Sequence, residues 1–125
     1  MKPEAKVKKK IREFLDPLGA KVVAPIGTVY GKAGVSDLLV CLKGHFVAIE
    51  VKAPGRLDGA TPLQEKFIRD VVAAGGIGMV ADDVEVVRVV LLAHGLVNEE
   101  ELARCARVEE WFSTEEANAL HIRNT

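Results

Sequence analysis

The stretch FVAIEVKAPG, residues 46–55, decides the fold that this chain is predicted to adopt. Its apolar first half is typical of a buried β-strand, but Glu50 and Lys52 stand in its second half. Burying charged side chains in an apolar strand costs free energy unless other groups compensate their charges. Another part of the chain must therefore supply partners for Glu50 and Lys52.

A second apolar stretch, SDLLVCL at residues 36–42, directly precedes the first one and predicts a β-hairpin. The two residues between the stretches, Lys43 and Gly44, are a hairpin turn signal. If they form a two-residue turn, Asp37 lies opposite Glu50, and the Cβ atoms of directly opposed residues are about 4.5–5.5 Å apart. The hairpin thus predicts two neighbouring carboxylates at its open end.

A lysine joins this pair. Lys52 follows Glu50 by two residues, so it projects from the same face of the strand. If the turn lies instead at Gly44 and His45, Asp37 faces Lys52 and the three charges still meet. A slip of one residue would separate them, because every side chain of one strand would change face.

The predicted cluster suits metal-dependent chemistry. Two adjacent carboxylates repel, so one pKa should rise unless a cation neutralises both. Mg²⁺ prefers a few carboxylate oxygens together with water and phosphate oxygens. A lysine beside the ion can orient water or stabilise charge that develops on a phosphate. The alternative is a structural ion pair of Lys52 with Asp37 or Glu50. Zinc is not favoured, because the histidines and cysteines are scattered: His45, His94, His121, Cys41 and Cys105.

The rest of the chain predicts an α/β domain in which helices flank a mixed β-sheet, in the order α-β-β-β-α-β-α with a helical C-terminal extension. A capping box, Thr61 to Gln64 with Pro62 at the first helical position, marks the start of the second helix. The predicted helices are 3–16, 61–74 and one from a cap at Asp82 or Asp83 to about His94; the predicted strands are 20–25, 36–42, 45–52 and 77–81. Residues 27–34 are expected to form a glycine-rich loop. Capping patterns at Asn98 and Ser113 predict two short helices in the extension.

Length and charge narrow the class of protein. The chain has 125 residues, enough for one domain with a core, and no apolar run reaches the roughly 18 residues of a membrane span. Residues 1–66 carry 12 Lys and Arg against 7 Asp and Glu, whereas residues 67–125 carry 5 against 11. The basic front half indicates a polyanionic partner, or else a solvated helix face.

Four motifs resemble the VRR-NUC family of the PD-(D/E)xK nuclease superfamily. They are GVSDLLV (34–40), AIEVKAPG (48–55), TPLQ (61–64) and AAGGIGMVADDVEVV (73–87). The resemblance spans roughly residues 3–94 and implies a restriction-endonuclease-like fold. The chain departs from the superfamily pattern in one respect, since Val35 and Ser36 precede Asp37 where a proline is usual.

The resemblance implies roles for individual residues. Asp37 and Glu50 would be metal ligands, with the carbonyl of Val51 as a third, and Lys52 would position or activate the attacking water. Gln64 matches a helix glutamine near the active site, although it is equally explained by the capping box. The helical pattern puts Glu4 on the inward face of the first helix, and the resemblance matches it to an acidic residue that reaches the metal; its charge also suits a helix N-terminus. Expected DNA-contacting residues are Lys6, Lys9, Lys10, Tyr30, Lys32, Arg56 and Lys66.

The function that this resemblance implies is a small Mg²⁺- or Mn²⁺-dependent DNA endonuclease. It would hydrolyse phosphodiester bonds in branched DNA, particularly four-way (Holliday) junctions, and it is similar to stand-alone phage or bacterial proteins. We therefore expect it in the cytoplasm of a bacterium or a phage-infected host, with no membrane and no small-molecule cofactor. A four-way junction is two-fold symmetric, so a homodimer is expected to supply two active sites. Residues that would form its interface or close the monomer core are Val86, Val89, Leu92, Trp111 and Phe112.

Residues 1–95 are predicted to form the nuclease domain, and residues 96–125 an extension packed on or near it. Three other functions remain open. The first is a nuclease of the same fold that cuts flaps, splayed arms or plain duplex. The second is a DNA-binding module without catalysis. The third is a non-enzymatic interaction protein that uses the acidic tail. The second of these needs a damaged site, whereas Asp37, Glu50 and Lys52 are all present.

Overall fold

The elements of the protein follow the predicted order. The computed structural model describes residues 1–25 and 34–112, with side chains as far as residue 106. Its α-helices are α1 (Pro3–Leu15), α2 (Pro62–Ala73), α3 (Val84–Ala93) and α4 (Glu99–Phe112), and two short 3₁₀ helices cover Asp16–Leu18 and Leu57–Gly59. Its strands are β1 (Lys21–Val23), β2 (Leu38–Leu42), β3 (His45–Val51) and β4 (Ile77–Ala81). The predicted loop at 27–34, apart from Gly34, lies outside the described residues.

The strands form one mixed sheet in the order β1-β2-β3-β4. β1, β2 and β3 are antiparallel neighbours, and β4 pairs with β3 in parallel through the crossover helix α2. α2 packs on β3 and β4, while α1 and α3 contact each other on the opposite side. The predicted α/β class with a mixed sheet flanked by helices is therefore confirmed.

The hairpin adopts the first of the two predicted registers. Its pairs run from Leu42 opposite His45 to Leu38 opposite Ile49. Lys43 and Gly44 have φ angles of 52° and 81°, the left-handed pair that a two-residue type I′ turn requires. The same register continued by one residue places position 37 opposite position 50.

One face of the sheet carries the main apolar core. α1 contributes a buried stripe four residues apart, Val7, Ile11 and Leu15. It packs with the alternate residues of the central strands, of which Leu38 and Ile49 are completely buried. Burying each such side chain contributes about 2 kcal/mol. This packing specifies which face each strand residue takes, because a slip of one residue would expose the whole apolar set.

The other face receives α2. The closest atoms to a Cβ built at Gly78 belong to Ile68 of this helix. Gly78 pairs with Ala48, so Ala48 and, two residues further along, Glu50 lie on the face that α2 covers. The Glu50 side chain is thus held between the sheet and α2.

The described part of the extension attaches to the hairpin tip. Lys43 Nζ donates to the carbonyl of Leu96 at 2.9 Å and to Glu101 Oε1 at 2.6 Å. Asn98 caps α4, as predicted, by accepting from the Glu101 amide at 2.8 Å. Leu96 and Val97 belong to the buried core, and the predicted helix at Ser113 lies outside the described residues. Within the described ranges, no helix is long and apolar enough to cross a bilayer.

Candidate active site

Asp37 stands immediately before β2, at the open end of the hairpin. Its Oδ2 accepts a hydrogen bond from the Val51 amide at 2.8 Å, so the side chain continues the ladder between β2 and β3 where the backbone pairing ends. Because that bond uses one carboxylate oxygen, the other oxygen remains available for a second partner. The hairpin turn, 6 residues away along β2, determines this position through the register.

Glu50 is the most deeply buried charged side chain of the site, at 2% exposed. Its Oε2 lies 3.3 Å from Lys52 Nζ. Its Oε1 is buried and has no hydrogen-bond partner. A buried carboxylate oxygen without a partner is costly, typically about 1–3 kcal/mol or more for a charged group.

The environment raises the pKa of Glu50 from 4.5 to about 7. Burial is the main cause, since it penalises the charged form. The neighbouring Asp37 adds to it, by repulsion and by the hydrogen bond that a neutral Glu50 carboxyl can make to it, whereas the Lys52 ammonium acts in the opposite direction. The rise that the hairpin geometry predicted for one of the two carboxylates is confirmed, and it falls on Glu50.

Lys52 is held from two sides. Besides the ion pair with Glu50, its Nζ donates to Gln64 Oε1 at 3.2 Å. The same Oε1 accepts from the Thr61 amide at 2.9 Å, and Thr61 Oγ1 accepts from the Gln64 amide, which completes the capping box. Gln64 is therefore both a capping residue and a partner of Lys52. With Oε1 occupied twice, its Nε2 is the group left to donate elsewhere.

The donor set fits a hard divalent cation. Asp37 and Glu50 supply two carboxylates, and the orphaned Oε1 of Glu50 is the kind of atom that a cation would satisfy. Both polar groups of a strand residue point toward the same neighbour, so the Val51 carbonyl points, like its amide, toward Asp37. Among the described side chains no group of three or more His, Cys, Asp or Glu converges. Water and phosphate oxygens would complete the coordination, as is usual for Mg²⁺.

Glu4 does not lie where the helical pattern put it. The prediction of an inward-facing side chain is wrong, because Glu4 is exposed in the first turn of α1. No hydrogen bond or ion pair of the described residues joins it to Asp37 or Glu50. The helical spacing to Val7 and Ile11 is as predicted, but the buried stripe begins only at Val7. Its role as a metal ligand stays a prediction.

The predicted DNA-contacting residues fall into two groups. Lys66 forms an ion pair with Asp70 at 2.8 Å, and Lys9 approaches Glu13 at 3.8 Å, so these two share their charge with acids of the same helix. The others among the described residues make no such pair, namely Lys6, Lys10 and Arg56. Tyr30 and Lys32 lie outside the described residues.

A cavity of about 230 Å³ lies at the end of the sheet where β3 and β4 finish. Lys6 and Lys10 line it from α1, and Pro54, Asp82 and Asp83 line it from the loops after the two strands. The N-terminal half of α1 therefore reaches the same end of the sheet as the charged cluster.

Sequence reasoning missed the residue that secures the loop after Lys52. Ala53 to Arg56 form a turn in which the Arg56 amide donates to the Ala53 carbonyl at 3.0 Å, with Gly55 at φ 82°. Asp82 Oδ2 accepts from the Gly55 amide at 2.8 Å, and it is Asp83 that caps α3. The Pro-Gly pair signalled the turn. Nothing in the local sequence signalled that Asp82 holds it, because the contact joins two separate strand ends.

One of three comparisons with known proteins supports the fold that the motifs indicate. No family model matches the chain, and no curated protein matches it. A solved structure described as a "VRR_NUC domain" is similar to it with a TM-score of 0.63 and 26% sequence identity, over 75% of this chain and 98% of that chain. That likeness, the mixed sheet with its helices, and the acid, E-V-K and T-P-x-Q residues gathered at one end of the sheet lead to one conclusion. This likeness supports membership of the VRR-NUC family and indicates a nuclease of the PD-(D/E)xK type.

Proposed function

We propose that this nuclease is an endodeoxyribonuclease that requires Mg²⁺ or Mn²⁺ and cuts branched DNA, with the four-way junction as its preferred substrate. The observation that carries the metal requirement is the buried, unpartnered Oε1 of Glu50 beside the Asp37 carboxylate. A divalent cation bound there would neutralise charge on the scissile phosphate and make water a better nucleophile.

The side chains of the site divide the work. Asp37, Glu50 and the Val51 carbonyl would hold the ion. Lys52 is oriented by Glu50 and Gln64, so its ammonium can position water or stabilise the negative charge that grows on the phosphate. Glu50 must be ionised to bind a cation, and its raised pKa means that binding below about pH 7 releases a proton.

The basic surface near the site supports a path for the DNA backbone. Lys6 and Lys10 reach the end of the sheet where β3 finishes, and Arg56 is exposed in the loop after β3. Such residues contact phosphates and so position a duplex without reading its sequence. Lys9 and Lys66 would contribute less, because they already pair with acids. Tyr30 and Lys32 remain candidates from the sequence.

The proposal includes a homodimer, because one chain offers one site and a four-way junction has two equivalent strands to cut. Of the apolar residues considered for the interface, Val89 is 51% exposed and is free to contact a second copy. Val86 and Leu92 are partly buried against the core, which favours an intramolecular role for them. The side chains of Trp111 and Phe112 lie outside the described residues.

The test is a cleavage assay on a four-way junction beside a linear duplex of the same sequence, each with Mg²⁺, Mn²⁺ or EDTA. We expect paired nicks in the junction, an intact duplex, and no cleavage in EDTA. Lys52→Ala is expected to bind the junction without cutting it. Preferential cutting of a flap would reassign the substrate, and tight binding without cleavage under all metal conditions would leave a DNA-binding module.

A further inference from the structure

Gly34 makes the tightest backbone approach in the neighbourhood of the site. A Cβ built at this position would lie 2.5 Å from the carbonyl oxygen of Leu63 and 2.6 Å from its carbonyl carbon. These are backbone atoms in the first turn of α2, so no side-chain rotation can relieve the overlap. Gly34 also has φ 89°, which residues with a Cβ rarely adopt.

The contact between Gly34 and Leu63 joins the segment before Asp37 to the helical turn that carries Gln64. Gly34 is three residues before Asp37, and Leu63 directly precedes Gln64. The intervening Ser36 is 1% exposed, and Gly34, Val35 and Asp37 are half-buried, so the segment is anchored at Ser36. A shift at Gly34 would therefore reach Asp37 on one side or the capping box of Gln64 on the other.

The C-terminal half of α2 also lies close to glycines. A Cβ at Gly78 would lie 2.8 Å from Ile68 Cγ2 and 3.1 Å from the Ile68 carbonyl oxygen. A Cβ at Gly76 would lie 2.8 Å from Val71 Cγ1. The helix rests on β4 at Gly78 and on the turn that follows it at Gly76, so it has little room to tilt inward at that end. Strain introduced at Gly34 must be relieved locally, next to the site.

We propose that Gly34 is a positioning residue of the nuclease. Its missing side chain lets the segment that leads to Asp37 touch the helical turn that carries Gln64, and this contact sets the distance between the metal carboxylates and the Lys52–Gln64 pair. The inference rests on the proposed metal-dependent function. The inference adds to the proposed function a residue that contacts neither the metal nor the DNA.

Gly34→Ala tests the proposal, and Gly19→Ala is its matched control. Gly19 has φ 83°, close to that of Gly34, but nothing lies within 4 Å of a Cβ built there. Both variants therefore place a Cβ on a residue with positive φ, and only Gly34→Ala adds the overlap with Leu63. Mn²⁺ affinity is measured by isothermal titration calorimetry on each folded protein without DNA. The amide resonances of Val51 and Thr61 are recorded by NMR without metal.

We expect Gly34→Ala to weaken Mn²⁺ binding by on the order of tenfold or more, as is common when residues that orient metal ligands are changed. The amide resonance of Val51, which donates to Asp37, or that of Thr61, which donates to Gln64, should move. Gly19→Ala should leave the affinity and both resonances unchanged. Equal Mn²⁺ affinities and equal spectra for the two variants would overturn the proposal.

A second pair of variants separates the overlap from the backbone strain. Asparagine tolerates left-handed backbone better than alanine, so Gly34→Asn keeps the Cβ with less strain, and Gly19→Asn is its control. Loss of Mn²⁺ affinity in Gly34→Asn alone supports the positioning role. An unfolded Gly34→Asn would contradict it, since the contact would then serve the whole fold. If the unaltered protein binds no Mn²⁺, the proposed function itself fails, and this outcome is distinct from the others.

Discussion

Replacing Glu50 with glutamine should stabilise the metal-free protein while it abolishes cleavage. Glu50 is 2% exposed, and its pKa rises from 4.5 to about 7, mainly because of burial. Glutamine has nearly the same shape but no charge, so Glu50→Gln removes the cost of burying a carboxylate. Its amide can also donate to Asp37, the neighbour that disfavours the ionised form.

The size of the effect follows from the two protonation equilibria. Below pH 4.5 the carboxyl is neutral in the folded and unfolded chains, and its ionisation costs nothing. Between 4.5 and about 7 the unfolded chain loses the proton while the folded chain keeps it, so stability falls as pH rises. Each pKa unit is worth about 1.4 kcal/mol, so the full penalty above pH 7 is about 3 kcal/mol. Imperfect packing of the amide reduces the expected gain in Glu50→Gln at pH 8 to about 1–3 kcal/mol.

Urea unfolding in EDTA at several pH values between 5 and 9 measures this gain. The difference in unfolding free energy between Glu50→Gln and the unaltered protein should be small at pH 5 and grow until about pH 8. Glu65→Gln on the exposed face of α2 is the control, and it should stay within about 0.5 kcal/mol at every pH. Added Mg²⁺ should stabilise the unaltered protein and not Glu50→Gln. A Glu50→Gln protein that is less stable at pH 8, or a difference that does not change with pH, would refute the reasoning.

Four further variants test the other groups of the site. Asp37→Asn keeps an oxygen that can accept from the Val51 amide, so it should fold normally but lose Mn²⁺ binding in calorimetry; retained binding would remove Asp37 from the ligands. Lys52→Met should keep Mn²⁺ binding but lower the single-turnover cleavage rate by on the order of 10²-fold or more, and an unchanged rate would deny the lysine its role. Thr61→Ala should lower stability by about 1 kcal/mol through loss of the cap, with little change in cleavage. Gln64→Ala should lose similar stability and in addition slow cleavage, because it also releases Lys52; equal cleavage by these two variants would reduce Gln64 to a capping residue.

The parts of this protein that depend on local chemistry were predictable from its sequence. Lys43 and Gly44 form the type I′ turn, one of the two turns that the sequence left open, and its register brings positions 37 and 50 opposite each other. The capping box at Thr61 and Gln64 forms as predicted, because its donors and acceptors are three residues apart in one helical turn. The helix start and the meeting of the three charges in either register are set within a few residues, so neither required knowledge of the rest of the fold.

The tertiary structure decided what depends on contacts between distant segments. It exposes Glu4, which the helical spacing alone had put inward, because the neighbouring elements begin to cover α1 only from Val7. It determines that the pKa of Glu50 is the one that rises. The sheet and α2 bury Glu50, and this burial penalises its charged form. The tertiary structure also brings Asp82 to the loop after Lys52 and Gly34 against Leu63. Burial and close packing are properties of the assembled chain, and no local pattern of residues encodes them.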